Sequence, residues 1–174
     1  SGIAQFITHR GQGELRNWLE SGYDKLQEYD KNYSDWFAVP RSIKTTSVKP
    51  SGTVSLLAGS TPGLHYPESR FYIRRIRLSN LSPLLKPLEK AGYKIEPAFG
   101  SEDSTVVIEV PVDVGEGIRT VSEVPMWEQM ALAAFMQRYW ADNQVSCTVT
   151  FDPEKEGPQI ATALNYFQYQ LKGI

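Results

Sequence analysis

At 174 residues, 41% hydrophobic and 22% charged, the chain can bury one substantial core but is short for two full domains, so a single unit over residues 1–174 is expected. Eighteen basic residues against twenty acidic ones leave a formal charge of −2, which excludes a global positive field for nucleic acid or an anionic membrane. The single cysteine, Cys147, excludes an intramolecular disulfide and a multi-thiolate zinc site and fits a reducing, cytoplasmic setting, while no stretch is apolar for long enough to span a membrane and the opening residues lack a secretory signal.

Residues 13–34 place Leu15, Trp18, Leu19, Tyr23, Leu26, Tyr29 and Tyr33 at three-and-four spacing, which predicts an amphipathic helix. Pro40 closes that stretch, since the residue before proline resists the helical region. A β-prone run over 43–48 leads into a small-residue turn, Lys49-Pro50-Ser51-Gly52-Thr53, which opens a short helix ending near Gly59. An ordered loop over 60–69 precedes a strand over 70–78 that alternates bulky and basic side chains. A helix over 82–92, with Ser82 as N-cap and Pro83 at its first position, follows. Strands at 93–95 and 104–112, joined by a turn at 100–103, come next. Residues 125–141 form the most hydrophobic helix, apolar nearly all round and so expected to be buried. A strand over 145–151, a helix-start signal at Asp152-Pro153 and a last helix over 159–171 complete an alternation that favours an α/β layer or barrel.

The turn at residues 50–55 is the stretch most suited to chemistry. A Ser-Gly-Thr turn before a helix leaves backbone N–H groups without intrahelical partners at the positive end of the helix dipole, a geometry that accepts phosphate. Gly52 removes the side chain that would hold an anion away from the backbone, and Ser51, Thr53 and Ser55 add hydroxyl donors. A simple helix cap at Ser51 explains the same residues without a ligand. Arg74, Arg75 and Arg77 put charge on both faces of one strand, which calls for acidic partners or an anionic ligand. Cys147 in a β-prone run reads as a small buried apolar residue. His9 and His65 make no metal or triad spacing, and the carboxylates sit in turn or cap contexts.

The block from Lys49 to Gly59, followed by Thr61-Pro62-Gly63-Leu64-His65, Tyr72-Ile73-Arg74-Arg75-Ile76-Arg77, and Asp142-Asn143-Gln144-Val145-Ser146 leading into Thr148-Val149-Thr150-Phe151, resembles the adenosylcobalamin-dependent (class II) ribonucleotide reductases. The version is closest to the monomeric, triphosphate-using type. The resemblance implies an α/β fold, a C-terminal segment of that family's ten-stranded α/β barrel. It implies a substrate phosphate-binding role for Pro50, Ser51, Gly52, Thr53, Val54 and Ser55. It further implies a ribonucleotide substrate, adenosylcobalamin in the complete enzyme, and an N-terminal reductase chain or segment as partner, with no nucleic acid and no membrane. The family's Asn-x-Cys-x-Glu loop and reducing cysteines do not occur in this sequence, and Cys147 matches none of those motifs, so no catalytic residue is assigned and the segment alone is expected to be inactive. Exposed strand edges would favour self-association. A noncatalytic α/β interaction module or structural subunit derived from the same scaffold is the alternative.

Overall fold

The computed structural model describes residues 1–52 and 54–174, apart from the side chains of Leu56 and Leu57. Helices and strands mix as an α/β chain should. The residues fall into two compact units, Ser1–Pro67 with Gly117–Ile174, and Glu68–Glu116.

In the first unit, helix α1 (Ile3–Arg10) and helix α2 (Gln12–Phe37) are separated by Gly11, whose φ of 82° breaks the helical run. Such an angle suits glycine because a Cβ would meet the following carbonyl. The expected amphipathic helix is therefore present, three residues longer at its C-terminal end than the spacing predicts, and it buries Leu15 and Leu19. Helix α3 (Val54–Leu57) is one turn long, as a turn followed by four apolar or small residues would have it.

Further along the chain but still in this unit come helix α5 (Met126–Tyr139) and helix α6 (Ile160–Phe167). Two neighbouring faces of α5 serve two apolar clusters. Leu132, Ala133 and Met136 pack with Leu15, Leu19, Val48, Leu64 and Val145, whereas Met126, Met130 and Ala134 pack with Ala163 and Phe167. A helix used on two sides needs an apolar surface on both, which accounts for its nearly unbroken hydrophobicity. The amide at its start, Met126 N–H, is received by Glu156 Oε1 at 2.8 Å, and Asp152 N–H by Glu156 Oε2 at 3.0 Å. That carboxylate thus satisfies an orphan donor at the positive end of α5.

The β-prone runs at 43–48 and 145–151 meet in parallel at one bridge, Val48 with Val145, and do not extend into the strands that their composition predicts. Side chains of α5 account for this difference. Gln129 donates to Thr150 O at 2.8 Å and accepts Thr150 N–H at 2.9 Å. Gln137 donates to Ala141 O and Asn143 O and accepts Val145 N–H. These two carboxamides stand in for a neighbouring strand, so the backbone groups are paired without a ladder. Asp142 pins the other run: its carboxylate receives Thr45 N–H at 2.8 Å, Thr45 Oγ1 at 2.9 Å and Tyr23 OH at 2.7 Å.

The second unit is a three-stranded antiparallel sheet in the order β1-β3-β2. Strand β1 (Phe71–Ser79) pairs along its whole length with β3 (Thr105–Asp113), and β2 (Lys94–Pro97) pairs with the other edge of β3. Helix α4 (Leu85–Lys90) joins β1 to β2. It begins three residues after Ser82, and its N-cap position is Leu84 with no side-chain cap. Ser82 instead receives Leu85 N–H on its carbonyl at 3.2 Å. Pro87 lies in the first turn, where its missing N–H costs no intrahelical bond.

Candidate functional site

The turn that opens α3 is the natural place to look for an anion. Ser51 has φ 42°, in the left-handed region, and Ser55 N–H closes the first helical bond onto Ser51 O at 3.1 Å. The amides of Ser51, Gly52 and Val54 make no hydrogen bond among the described residues. Thr53 lies outside the described residues. Pro50 is exposed, and the Val54 side chain is 66% exposed.

The hydroxyls divide differently from the amides. Ser51 Oγ accepts Gly63 N–H at 3.1 Å and shares a short hydrogen bond with Ser1 Oγ. Ser55 is 1% exposed and Thr61 0% exposed, and among the described residues neither Ser55 Oγ nor Thr61 Oγ1 has a hydrogen-bond partner. Backbone N–H groups are therefore the donors this turn presents outward, and the Ser51 hydroxyl is occupied in fixing the turn.

Two features that hold the turn come from outside it in the sequence. The first is Gly63: with φ 55°, a Cβ there would lie 2.5 Å from Lys49 O and 3.3 Å from Pro50 Cα. Only a glycine lets these two backbones approach so closely. The second is Gln5 of α1, whose Nε2 donates to Gly59 O at 3.3 Å while its Oε1 accepts Thr61 N–H at 2.8 Å. Neither the spacing of apolar residues nor any turn signal near residue 5 marks it, because the contact spans more than fifty residues.

His65 is fully engaged in the same unit. Its Nδ1 faces Pro62 O at 3.1 Å and its Nε2 accepts Thr148 N–H at 3.0 Å, which fixes the neutral tautomer with the proton on Nδ1. Cys147 is half-buried against the larger apolar cluster, and burial pushes its thiol up, away from the reactive thiolate. In the sheet unit, Arg75 forms ion pairs with Glu96 and, at 3.5 Å, with Glu109, while Lys94 reaches Glu109 at 3.1 Å. The acidic partners expected for that strand are thus supplied by the neighbouring strands. Arg74 and Arg77 make no ion pair among the described residues.

The geometry describes an α/β segment with a glycine-serine turn that presents unpaired amides. No protein-family model matches the chain. It is 62% identical over all 174 residues to the adenosylcobalamin-dependent ribonucleoside-triphosphate reductase of Euglena gracilis, covering 24% of that protein. It is 61% identical to the probable enzyme of the same name from Dictyostelium discoideum, covering 23% of it, and 44% identical over 160 residues to that of Levilactobacillus brevis. A crystal structure of a B12-dependent (class II) ribonucleotide reductase matches 91% of the chain and 22% of its own length, with a TM-score of 0.73 at 36% identity. The chain is thus homologous to the class II ribonucleotide reductases over its whole length, and spans less than a quarter of the curated relatives it matches.

The relatives' names imply adenosylcobalamin. Among the described residues no group of three or more His, Cys, Asp or Glu is placed to hold a metal. Both ring nitrogens of His65 are taken, and Arg75 is committed to its glutamates. No helix among the described residues is long and apolar enough to cross a membrane.

Proposed function

We propose that this chain is part of a cytoplasmic ribonucleotide reductase and supplies the loop that grips the substrate's phosphates. Residues 50–55 receive the anion chiefly through backbone amides, with Ser51, Gly52 and Val54 as donors and Thr53 between them. The observation that carries the reading is that these three amides have no partner among the described residues. Successive free N–H groups in a left-handed turn make a concavity suited to phosphate oxygens. No side chain needs to be charged for this, which agrees with a site in a chain of net charge −2.

The reduction itself belongs to the remainder of the enzyme. Adenosylcobalamin would supply the radical there, and an N-terminal reductase segment bearing Asn-x-Cys-x-Glu would carry the thiyl cysteine. This chain's contribution is to hold the ribonucleotide by its phosphates so that the ribose stays in one place. The test is calorimetric titration of a ribonucleoside triphosphate into the chain mixed with such a segment, beside a Gly52→Leu variant. Tenfold or greater weakening in the variant is expected, together with loss of ribonucleotide reduction. Equal binding by both would remove the loop from the site.

A further inference from the structure

The anchoring of the turn carries one inference further. Helix α3 is held at both ends by one short piece of chain. At its exit, Gln5 clamps Gly59 O and Thr61 N–H, and Ser60 N–H returns to Ser55 O at 3.0 Å. Just beyond, Gly2 N–H donates to Thr61 O at 2.8 Å and Ile3 N–H to Gly63 O at 3.3 Å. At its entrance, Gly63 N–H donates to Ser51 Oγ and the Gly63 backbone packs against Lys49 O. The path from Gln5 to the free amides thus runs through Thr61 and Gly63 to Ser51, and every step is a hydrogen bond or a peptide bond. Among the described residues the buried Thr61 Oγ1 has no partner, so its side chain does not fix it.

We infer that Gln5 is a positioning residue for the phosphate loop, setting the direction of the Ser51, Gly52 and Val54 amides without touching the anion. The inference rests on the reading of residues 50–55 as that loop. The physical reason is that a carboxamide spanning residues 59 and 61 fixes two adjoining backbone groups at once, as a neighbouring strand would. Anion binding by amides depends on donors aimed in advance at one point. Releasing the exit of α3 lets the amides diverge, and binding then has to bring them back.

The experiment compares the 15N-labelled chain with its Gln5→Ala and Gln5→Glu variants. Gln5→Glu keeps the acceptor for Thr61 N–H and loses the donor to Gly59 O. Amide shifts and hydrogen exchange of Ser51, Gly52, Val54 and Ser55 are read first without ligand, then inorganic tripolyphosphate is titrated. In Gln5→Ala these four amides should shift, Ser55 should exchange faster, and tripolyphosphate affinity should fall roughly tenfold, the factor equivalent to about 1.4 kcal/mol. Gln5→Glu should recover part of both effects, which a general loss of stability would not produce. Shifts confined to residues 59–61 would overturn the inference whether or not the anion binds. Shifts at 51–55 in a chain that fails to bind tripolyphosphate would uphold the positioning role and remove the phosphate reading instead.

Discussion

Replacing Gly63 with alanine tests the tightest contact in the site. The left-handed backbone at φ 55° costs a non-glycine residue about 1–2 kcal/mol. The added Cβ would sit 2.5 Å from Lys49 O, a backbone atom that cannot rotate aside, and overpacking of this kind costs about 1–3 kcal/mol. Reduced freedom of the unfolded chain returns roughly 0.4–1 kcal/mol. A net loss of about 1–4.6 kcal/mol follows, with its middle at roughly 3 kcal/mol, a large share of the ~5–15 kcal/mol typical of a folded domain. Gly59 provides the control, because its φ is 59° but nothing among the described residues lies within 4 Å of a Cβ built there. Gly59→Ala should bear the conformational part alone. Urea unfolding followed by tryptophan fluorescence measures both variants, and the difference between them isolates the approach of Lys49 to Gly63. Equal losses would mean that the backbone yields freely, and the account of Gly63 as the residue that lets residues 49–50 and 61–63 pack together would be wrong.

Two other consequences follow from side chains that hold backbone segments. The Asp142 carboxyl is held below its ordinary range chiefly by Thr45 N–H, opposed by desolvation and assisted by Tyr23 OH. A depressed folded pKa contributes stability that is complete above the unfolded value near 3.9 and is lost as pH falls through the lower folded value. The stability difference between the chain and Asp142→Asn should therefore be constant above about pH 5 and shrink below about pH 4; a constant difference down to pH 2 in urea titrations would contradict the assignment. Gln129→Ala should cost about 2–3 kcal/mol, since a buried carboxamide with three hydrogen bonds is removed and the Thr150 backbone loses its partners. Hydrogen exchange at Thr150 should accelerate along with it, and an unchanged Thr150 would show that water or a neighbour replaces Gln129.

How much of this was legible in the sequence depends on the range of the interaction that decides each element. The period of Leu15, Leu19 and Tyr23 marks α2, and the turn at Ser51-Gly52 with a closing Gly59 marks α3, because each is fixed by neighbours a few residues away. Beta-branched content marks β2 and β3 and the alternation of bulky and basic side chains marks β1, each within a residue or so at most ends, and period two alone puts Phe71, Ile73, Arg75 and Arg77 on one face. Helix α1 has an apolar face in Ile3, Phe6 and Ile7, which pack against the larger cluster, but at eight residues it is too short for that spacing to mark a helix by itself. The turn itself could be found, whereas the residues that brace it could not. Gln5 acts over a distance in sequence at which local pattern is silent, and Pro62-Gly63 marks a turn without saying that it packs against Lys49.

The segment at 145–151 shows the same limit from the other side. Its composition demands an extended backbone and leaves open what will pair with it. A strand prediction assumes that the partner is another strand. Here Gln129 and Gln137, eight residues apart on α5, present their carboxamides along the same direction as the extended chain and pair with Thr150, Val145, Asn143 and Ala141. Each carboxamide has one acceptor and two donors, so it can pair with both a backbone N–H and a backbone C=O. Two carboxamides on a mostly apolar helix are in this sense the complement of the strand that composition alone implied. The same carboxamide chemistry recurs at Gln5, which spans Gly59 and Thr61. Side-chain amides bracing extended or turning backbone are thus a repeated device of this chain, and the turn at residues 50–55 is the place where we propose that such bracing bears on function.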